Sequence, residues 1–389
     1  MDSTSQRNGT TTIARMYLVA MALFLITITI GILNGADAVT FNRDQILTHV
    51  HSGTLGWISL SLVASAMWMF GLVDRRLALA LGILIPIYVA AFYSGMPAFR
   101  AIGGTALLIA IAWVVVWVWR AWSAERTLPG LAVVLGLTTF GYGALIGVLI
   151  QIERALDTHI FKQDAVAGHA SAMVFSYLIL VAMGLIEWRV LGTKGLPKAG
   201  IVQFGALFVG GLVLTSALLF LDASATQAIG GIYLLLELIA VVLFAVRIVP
   251  SAVRGKIGRH LGASTVFVFV AIGIFLYLIS QFIAAGDPNA VNFNLLKASD
   301  HAAFIGVVTN LVFALILVLT AETRDSTPPW VSTVGFWAMN LGLLVFLVGL
   351  GQDIAEVKRL GAPTMGVGIL IVLYVLARRL WASAGMSKA

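Results

Sequence analysis

Long apolar runs separated by short polar segments make up most of this chain. A run of about 20 predominantly apolar residues is long enough to cross the hydrocarbon core of a bilayer as an α-helix. The runs carry few charges, because most charged residues gather between them. The pattern predicts twelve transmembrane helices, at about 13–33, 49–73, 77–95, 101–119, 131–151, 165–187, 199–221, 227–246, 261–283, 301–321, 330–350 and 363–381.

The composition supports the same prediction. Of the 389 residues, 60% are hydrophobic and 11% are charged, which is about half the charged share of ordinary soluble domains. The mean hydropathy is +1.01. We therefore predict an all-α polytopic membrane protein that forms a single transmembrane domain, 1–389, in the lipid bilayer. No nucleic-acid partner is expected, since a net charge of +7 in a membrane protein mostly reports basic cytoplasmic loops.

The distribution of basic residues predicts the orientation. When alternate loops are assigned to opposite sides, 17 of the 24 Lys and Arg residues fall on the side of the amino terminus, and the other 7 fall opposite. The side richer in Lys and Arg is the cytoplasmic one. We therefore predict a multi-pass protein of a bacterial-type inner (plasma) membrane with both termini in the cytoplasm.

A pattern of one phenylalanine and one histidine recurs three times, each time at the start of an apolar run. It reads Phe-x7-His, and its copies occupy 41–49, 161–169 and 293–301. The three histidines, His49, His169 and His301, stand 120 and 132 residues apart. This spacing predicts a four-helix unit present three times, at about 13–122, 129–246 and 261–383. Such a unit preserves orientation, so the histidines are expected at the outer ends of predicted helices 2, 6 and 10.

The first copy carries a second histidine, His51, two residues after His49. Two residues correspond to a rotation of about 200° along an α-helix, so the two rings should point to nearly opposite faces. They can therefore serve two different sites but cannot bind the same metal. The chain has no cysteine, which excludes thiolate metal sites, iron–sulfur clusters and covalent heme attachment. Histidine at a membrane surface can also be a simple polar anchor, and this alternative remains open.

Twelve helices in three units, with histidines on helices 2, 6 and 10, resemble the catalytic subunit of the heme–copper oxidase superfamily. The sequence departs from that family at its copper site, because predicted helix 7 has no histidine and Met173 occupies the place of a tyrosine on helix 6. The His49-x-His51 opening of helix 2 resembles the NnrS family, whose members are linked to heme, copper and the response to nitric oxide. The chain is therefore interpreted as a divergent, reduced member of this superfamily.

This resemblance implies cofactor-binding residues. A heme b would take His301 and either His49 or His51 as its axial ligands. His169 and the remaining histidine of helix 2 would form a second site, for heme or copper. Lys358 and Arg359 lie in the outer loop where oxidases hold the heme propionates, although they can also be ordinary interfacial charges.

Glu237 is a further candidate because it lies well inside predicted helix 8. Acidic residues within membrane helices are candidates for proton transfer, although a neutral glutamic acid can also simply bond to a neighbouring helix. Asn310 and Asn340 are expected to join helices through hydrogen bonds.

The resemblance favours a heme-binding membrane protein that transfers electrons or handles a small gas such as nitric oxide. A redox donor or other membrane subunits would be its partners. It could be an oxidoreductase, but a conventional terminal oxidase is not expected without the copper ligands. A membrane transporter or channel is one alternative, and a cofactor-free structural or assembly subunit is another.

Overall fold

The protein is described from a computed structural model, which covers residues 3–161, 165–192, 194–255, 257–285, 291–323 and 327–384. All regular structure in these residues is helical, as predicted. The twelve long helices are α1 (Ser3–Gly35), α2 (43–69), α3 (Arg75–Tyr93), α4 (Pro97–Ala124), α5 (Leu128–Leu156), α6 (Ala165–Val190), α7 (Lys198–Phe220), α8 (Ala223–Arg254), α9 (Arg259–Ala285), α10 (Asn294–Leu319), α11 (Pro329–Gly351) and α12 (Ala355–Ser383).

Within the described residues, eleven of these helices are long and apolar enough to cross a membrane, which confirms the all-α polytopic class. The exception is α2, whose serines and threonines lower its hydropathy. Many large apolar side chains are exposed on the outside of the helices, as expected where lipid is the solvent. Those more than 60% exposed include Leu79, Ile102, Ile109, Val246 and Val253.

Local sequence accounts for where several helices begin. Asn42 caps α2 through a capping box with Gln45, in which each side chain bonds to the other residue's backbone N–H. Asp74 caps α3 and Asp222 caps α8 by accepting from backbone N–H groups of the first turn. These caps satisfy donors that have no partner inside the helix.

Three of the helices contain a π-helical segment near their first third. The segments are Ser52–Ser59 in α2, Ala172–Leu178 in α6 and Ala302–Thr309 in α10. π-helical turns are rare in proteins and are frequent at functional sites. Here each segment directly follows the short α-helical turn or turns that carry the candidate histidines.

The chain divides into two compact units, Met1–Gly95 with Phe304–Ala389, and Met96–Ala303. The first unit has close backbone packing between α11 and α12, where a Cβ on Gly361 would lie 2.5 Å from the Phe346 nitrogen. In the same unit Asn310 of α10 donates to Asn340 of α11 at 2.8 Å, which confirms the predicted helix–helix bond.

The second unit contains α4 to α9 and the first part of α10. Glycines again bring its helices close together. A Cβ on Gly184 of α6 would lie 3.0 Å from the Pro129 oxygen of α5, and one on Gly211 of α7 would overlap Ser176 of α6. This packing holds α6 against α5 and α7.

Candidate functional site

His49 is held by the preceding helix. Its ring nitrogen Nδ1 lies 2.8 Å from the carbonyl oxygen of Thr27 on α1. One turn further along α1 stands Gly31, where a Cβ would approach the ring carbon Cε1 to 3.0 Å. The imidazole therefore packs on a patch of α1 backbone that is kept open by the glycine.

His169 is held in the same way in the other unit. Its Nδ1 lies 2.8 Å from the carbonyl oxygen of Gly143 on α5. One turn further along α5 stands Gly147, where a Cβ would come within 2.8 Å of the ring carbon Cε1. The same arrangement of ring, carbonyl and glycine thus occurs on α2 with α1 and on α6 with α5.

These contacts determine which ring nitrogen can bind a ligand. A carbonyl oxygen only accepts, so Nδ1 of His49 and of His169 must carry the hydrogen and donate it. The other nitrogen, Nε2, then presents its lone pair, and no hydrogen bond within the described part of the chain occupies it. A donated Nδ1–H bond is the usual way in which proteins orient a metal-binding histidine.

The third helix of this kind has a serine at the corresponding place. Counted back from the first residue of each π-helical segment, the third residue is His49, His169 or Ser299. The Ser299 hydroxyl donates at 2.8 Å to the carbonyl oxygen of Ala271 on α9, just as the two imidazoles bond to α1 and α5. One turn beyond Ala271 on α9 stands Phe275, where α1 and α5 have a glycine. The bulky phenylalanine on α9 thus goes together with the small serine on α10.

This register corrects the equivalence that the sequence suggested. His301 lies one residue before its π-helical segment, as His51 does, so it corresponds to His51 and not to His49 or His169. The Phe-x7-His pattern matched His301 with the wrong histidines, because its phenylalanines are not structurally equivalent. Phe161 packs on a buried apolar cluster, whereas Phe293 is 54% exposed.

A second pair of contacts supports the new register. Ser59 of α2 donates at 2.8 Å to the carbonyl oxygen of Thr54, five residues back. Thr309 of α10 donates at 2.8 Å to Phe304, also five residues back. Both hydroxyls stand seven residues after the start of their π-helical segments, which matches the alignment of His301 with His51.

His51 and His301 share a different kind of support. Nδ1 of each lies near a carbonyl oxygen of its own helix four residues back, Leu47 at 2.8 Å and Lys297 at 2.7 Å. The His51 ring also stacks on Phe92 of α3, with 3.6 Å between ring centroids. His49 contacts α1 and His51 contacts α3, so the two rings lie on different sides of α2, as predicted.

The four histidines are thus divided between the units. His49 and His51 belong to the first unit, and His169 and His301 belong to the second. A neutral imidazole whose Nε2 has no hydrogen bond within the described residues, as in His49 and His169, is a donor that would suit heme iron. No group of three or more His, Asp or Glu residues converges among the residues described.

Lys358 and Arg359 were predicted in a loop, but they lie in the first two turns of α12, and both are engaged with carboxylates. Lys358 lies 2.9 Å from Asp353, and Arg359 lies 2.6 Å from Asp37. Both pairs are largely exposed, so each contributes little to stability. Contact with heme propionates remains a prediction for these residues.

Glu237 lies inside α8 as predicted, and it is only 1% exposed. Sequence reasoning missed Tyr233, one turn earlier on the same helix and equally buried.

It also missed a buried ion pair. Arg247 of α8 binds Glu187 of α6 at 2.5 Å and Gln203 of α7 at 2.7 Å. Arg247 was placed in a loop because α8 was predicted to end at 246, whereas it continues to Arg254. The sequence offered one signal for this pair, since Glu187 and Arg247 both stand at the predicted cytoplasmic ends of their helices.

No protein-family model and no curated protein matches this sequence. The positions and hydrogen bonds of the histidines are therefore the basis on which a function can be assigned.

Proposed function

We propose that this chain is a heme-binding integral membrane protein that transfers electrons or handles a small gas such as nitric oxide. The observation that carries the proposal is the shared arrangement of His49 and His169. Each donates Nδ1–H to a carbonyl oxygen of the preceding helix and keeps Nε2 for a ligand. A polar anchor at a membrane surface does not require the same backbone support and the same adjacent glycine twice.

His51 and His301 are the second pair of proposed heme ligands, and they differ from the first pair in how their rings are held. Their rings are oriented by carbonyl groups of their own helices, so they too are fixed in direction by Nδ1. Heme iron supplies one-electron chemistry and an open or exchangeable position for a small gas. The contribution of the chain is to fix the imidazoles, exclude water by its apolar helices and set the electrostatics around the iron.

The test is the absorption spectrum of protein purified in detergent after expression with ample heme. We expect a Soret band, a pyridine hemochrome spectrum of heme b and stoichiometric iron. His49→Ala, His51→Ala, His169→Ala and His301→Ala should each reduce the heme content. His159→Ala is the matched control, because His159 is exposed in a loop and should leave the spectrum unchanged.

A colourless protein without stoichiometric metal would refute the proposal and favour one of the alternatives. Substrate flux into proteoliposomes would then favour a transporter. Absence of both cofactor and flux would favour a structural or assembly subunit.

A further inference from the structure

The buried face of α8 carries a pair of polar side chains in an otherwise apolar environment. Gly230, Tyr233 and Glu237 are spaced by three and four residues, so they share one side of the helix. All three are buried. The opposite side is exposed and apolar, as expected for a side that faces lipid. Its residues include Ile232, Leu235, Leu238, Val242 and Val246.

The two polar side chains are incompletely satisfied by hydrogen bonds. The Tyr233 hydroxyl and Glu237 Oε1 are completely buried, and both lack a bond within the described part of the chain. The hydroxyl and the carboxyl lie close enough to interact electrostatically, but they do not meet hydrogen-bond geometry. An ionised carboxylate is costly in an apolar interior, so burial favours the protonated form of Glu237.

The surroundings of this pair differ along the helix. Toward the Ala223 end, a Cβ on the buried Gly230 would meet no atom within 4 Å, so there is open space beside this residue. Toward the Arg254 end, the same face is closed by Ala240 and Phe244, both fully buried. Phe244 in turn packs on Phe269 of α9, with 5.8 Å between ring centroids. The face is therefore less tightly packed toward the Ala223 end than toward the Arg254 end.

No other titratable group faces Glu237 closely enough to affect its charge among the residues described, since Tyr233 is its one electrostatic neighbour. Glu187 of α6 is already paired with Arg247, ten residues beyond Glu237 on α8. Other titratable groups of the helices that contact α8 are His169, Tyr177 and Arg189 of α6, Lys198 of α7 and Arg259, His260 and Tyr277 of α9. Tyr177 is buried in the middle of α6, where its ring stacks on Phe140 of α5.

We propose that Glu237 and Tyr233 form a proton-binding site within the membrane, which exchanges its proton through the space beside Gly230. The carboxyl holds the proton, and the tyrosine hydroxyl can donate to the carboxylate when the proton leaves. The site does not involve the histidines, so it is independent of the proposed heme function. In the orientation predicted from the charges, it opens toward the outer side.

Labelling with a lipid-soluble carbodiimide tests the protonation state, because this reagent reacts with protonated carboxyl groups in apolar surroundings. We expect mass spectrometry to find the adduct on the peptide that contains Glu237, with a yield that falls as pH rises. Glu187 is an internal control, since it is equally buried but ion-paired, and it should remain unlabelled. Absence of an adduct on Glu237 at low pH, or equal labelling of both residues, would overturn the proposal.

Three substitutions test the route and the hydroxyl. Gly230→Leu fills the open space and should slow the exchange of the Glu237 proton in D2O several-fold, followed as the shift of the infrared carboxyl band that Glu237→Gln removes. Gly231→Leu is the matched control, because its neighbouring space lies on the exposed side. Tyr233→Phe should keep the carboxyl protonated to higher pH. Equal exchange rates in both glycine variants, at unchanged helix content, would contradict the route.

Discussion

The two glycines beside the histidine rings are the most sensitive single residues of the candidate site. A Cβ at Gly147 would stand 2.8 Å from Cε1 of His169, closer than real contacts allow. The ring would have to shift, which would strain its bond with the Gly143 carbonyl. We expect Gly147→Ala to weaken heme binding at His169 by about 10-fold or more, the usual effect of losing the support of a metal ligand. Heme titration followed at the Soret band measures this change.

Gly141→Ala is the control for that experiment. It lies on the same helix, but its Cβ would meet only a methyl group of Val115, at 3.1 Å, which can move aside. If both alanine variants retained the affinity of the unmodified protein, the contact between Gly147 and His169 would have no role in binding.

Residue types could be recognised from the sequence, but their partners could not. Histidines are rare in this chain, so their places at the starts of apolar runs were visible. Bonds from His49 to Thr27 and from Ser299 to Ala271 join residues on different helices, and no local pattern encodes them. The sequence could not show that Ser299 corresponds to His49, because serine and histidine are different residue types. The correspondence appears only in the structure, from their shared position before a π-helical segment and their similar hydrogen bonds.

At the scale of helices, the buried amide pair between α10 and α11 is a measurable link. Asn310 and Asn340 bond to each other and to carbonyl groups of their own helices. We expect a double-mutant cycle of Asn310→Ala and Asn340→Ala to give a coupling free energy of about 0.6 kcal/mol and at most about 1.7 kcal/mol, the range found between membrane helices. Reversible unfolding in detergent provides the free energies. Strict additivity would show that the bond does not contribute.

The start of α8 should show a dependence on pH. The Ala225 backbone N–H and the Ser224 hydroxyl both donate to Asp222 and hold the pKa of its carboxyl below the usual value. A folded-state pKa below the unfolded one means that the cap stabilises α8 above the unfolded pKa. This contribution is lost as the pH falls through the folded value.

Asp222→Ala should therefore lower the thermal midpoint near neutral pH and have little effect at strongly acidic pH. Asp222→Asn keeps an acceptor without the charge, so its deficit should be smaller and less dependent on pH. A deficit of Asp222→Ala that stayed constant down to strongly acidic pH would contradict the role of the charged cap.

Helices themselves were predictable because their length is set by the bilayer and their composition by lipid. Their exact ends were not. The buried ion pair of Arg247 lies in the last turns of α8. A charged residue at the end of an apolar run predicted a loop, but Arg247 is helical and is neutralised by Glu187 of α6. The three π-helical segments were also not predicted from the sequence.

At the scale of the whole molecule, the compact units do not follow the three predicted repeats. The first unit combines helices from the first and third predicted repeats, and α10 passes from one unit into the other at Ala303 and Phe304. The register of the π-helical segments relates α2, α6 and α10 across this division. A chain with three predicted repeats can still divide into two compact units, because repeats follow the order of the chain whereas compact units follow its contacts.

The orientation of the chain gives the last prediction. Because the sequence has no cysteine, a single introduced cysteine can be labelled without background. Arg126 and Thr158 are exposed in the loops at the two ends of α5, so they must lie on opposite sides of a membrane that α5 crosses. The excess of basic residues places Arg126 inside and Thr158 outside. In intact cells, an impermeant thiol reagent should therefore label Thr158→Cys, while Arg126→Cys should react only after permeabilisation. The reverse pattern would invert the orientation and place the histidine-bearing starts of α2, α6 and α10 at the cytoplasmic face.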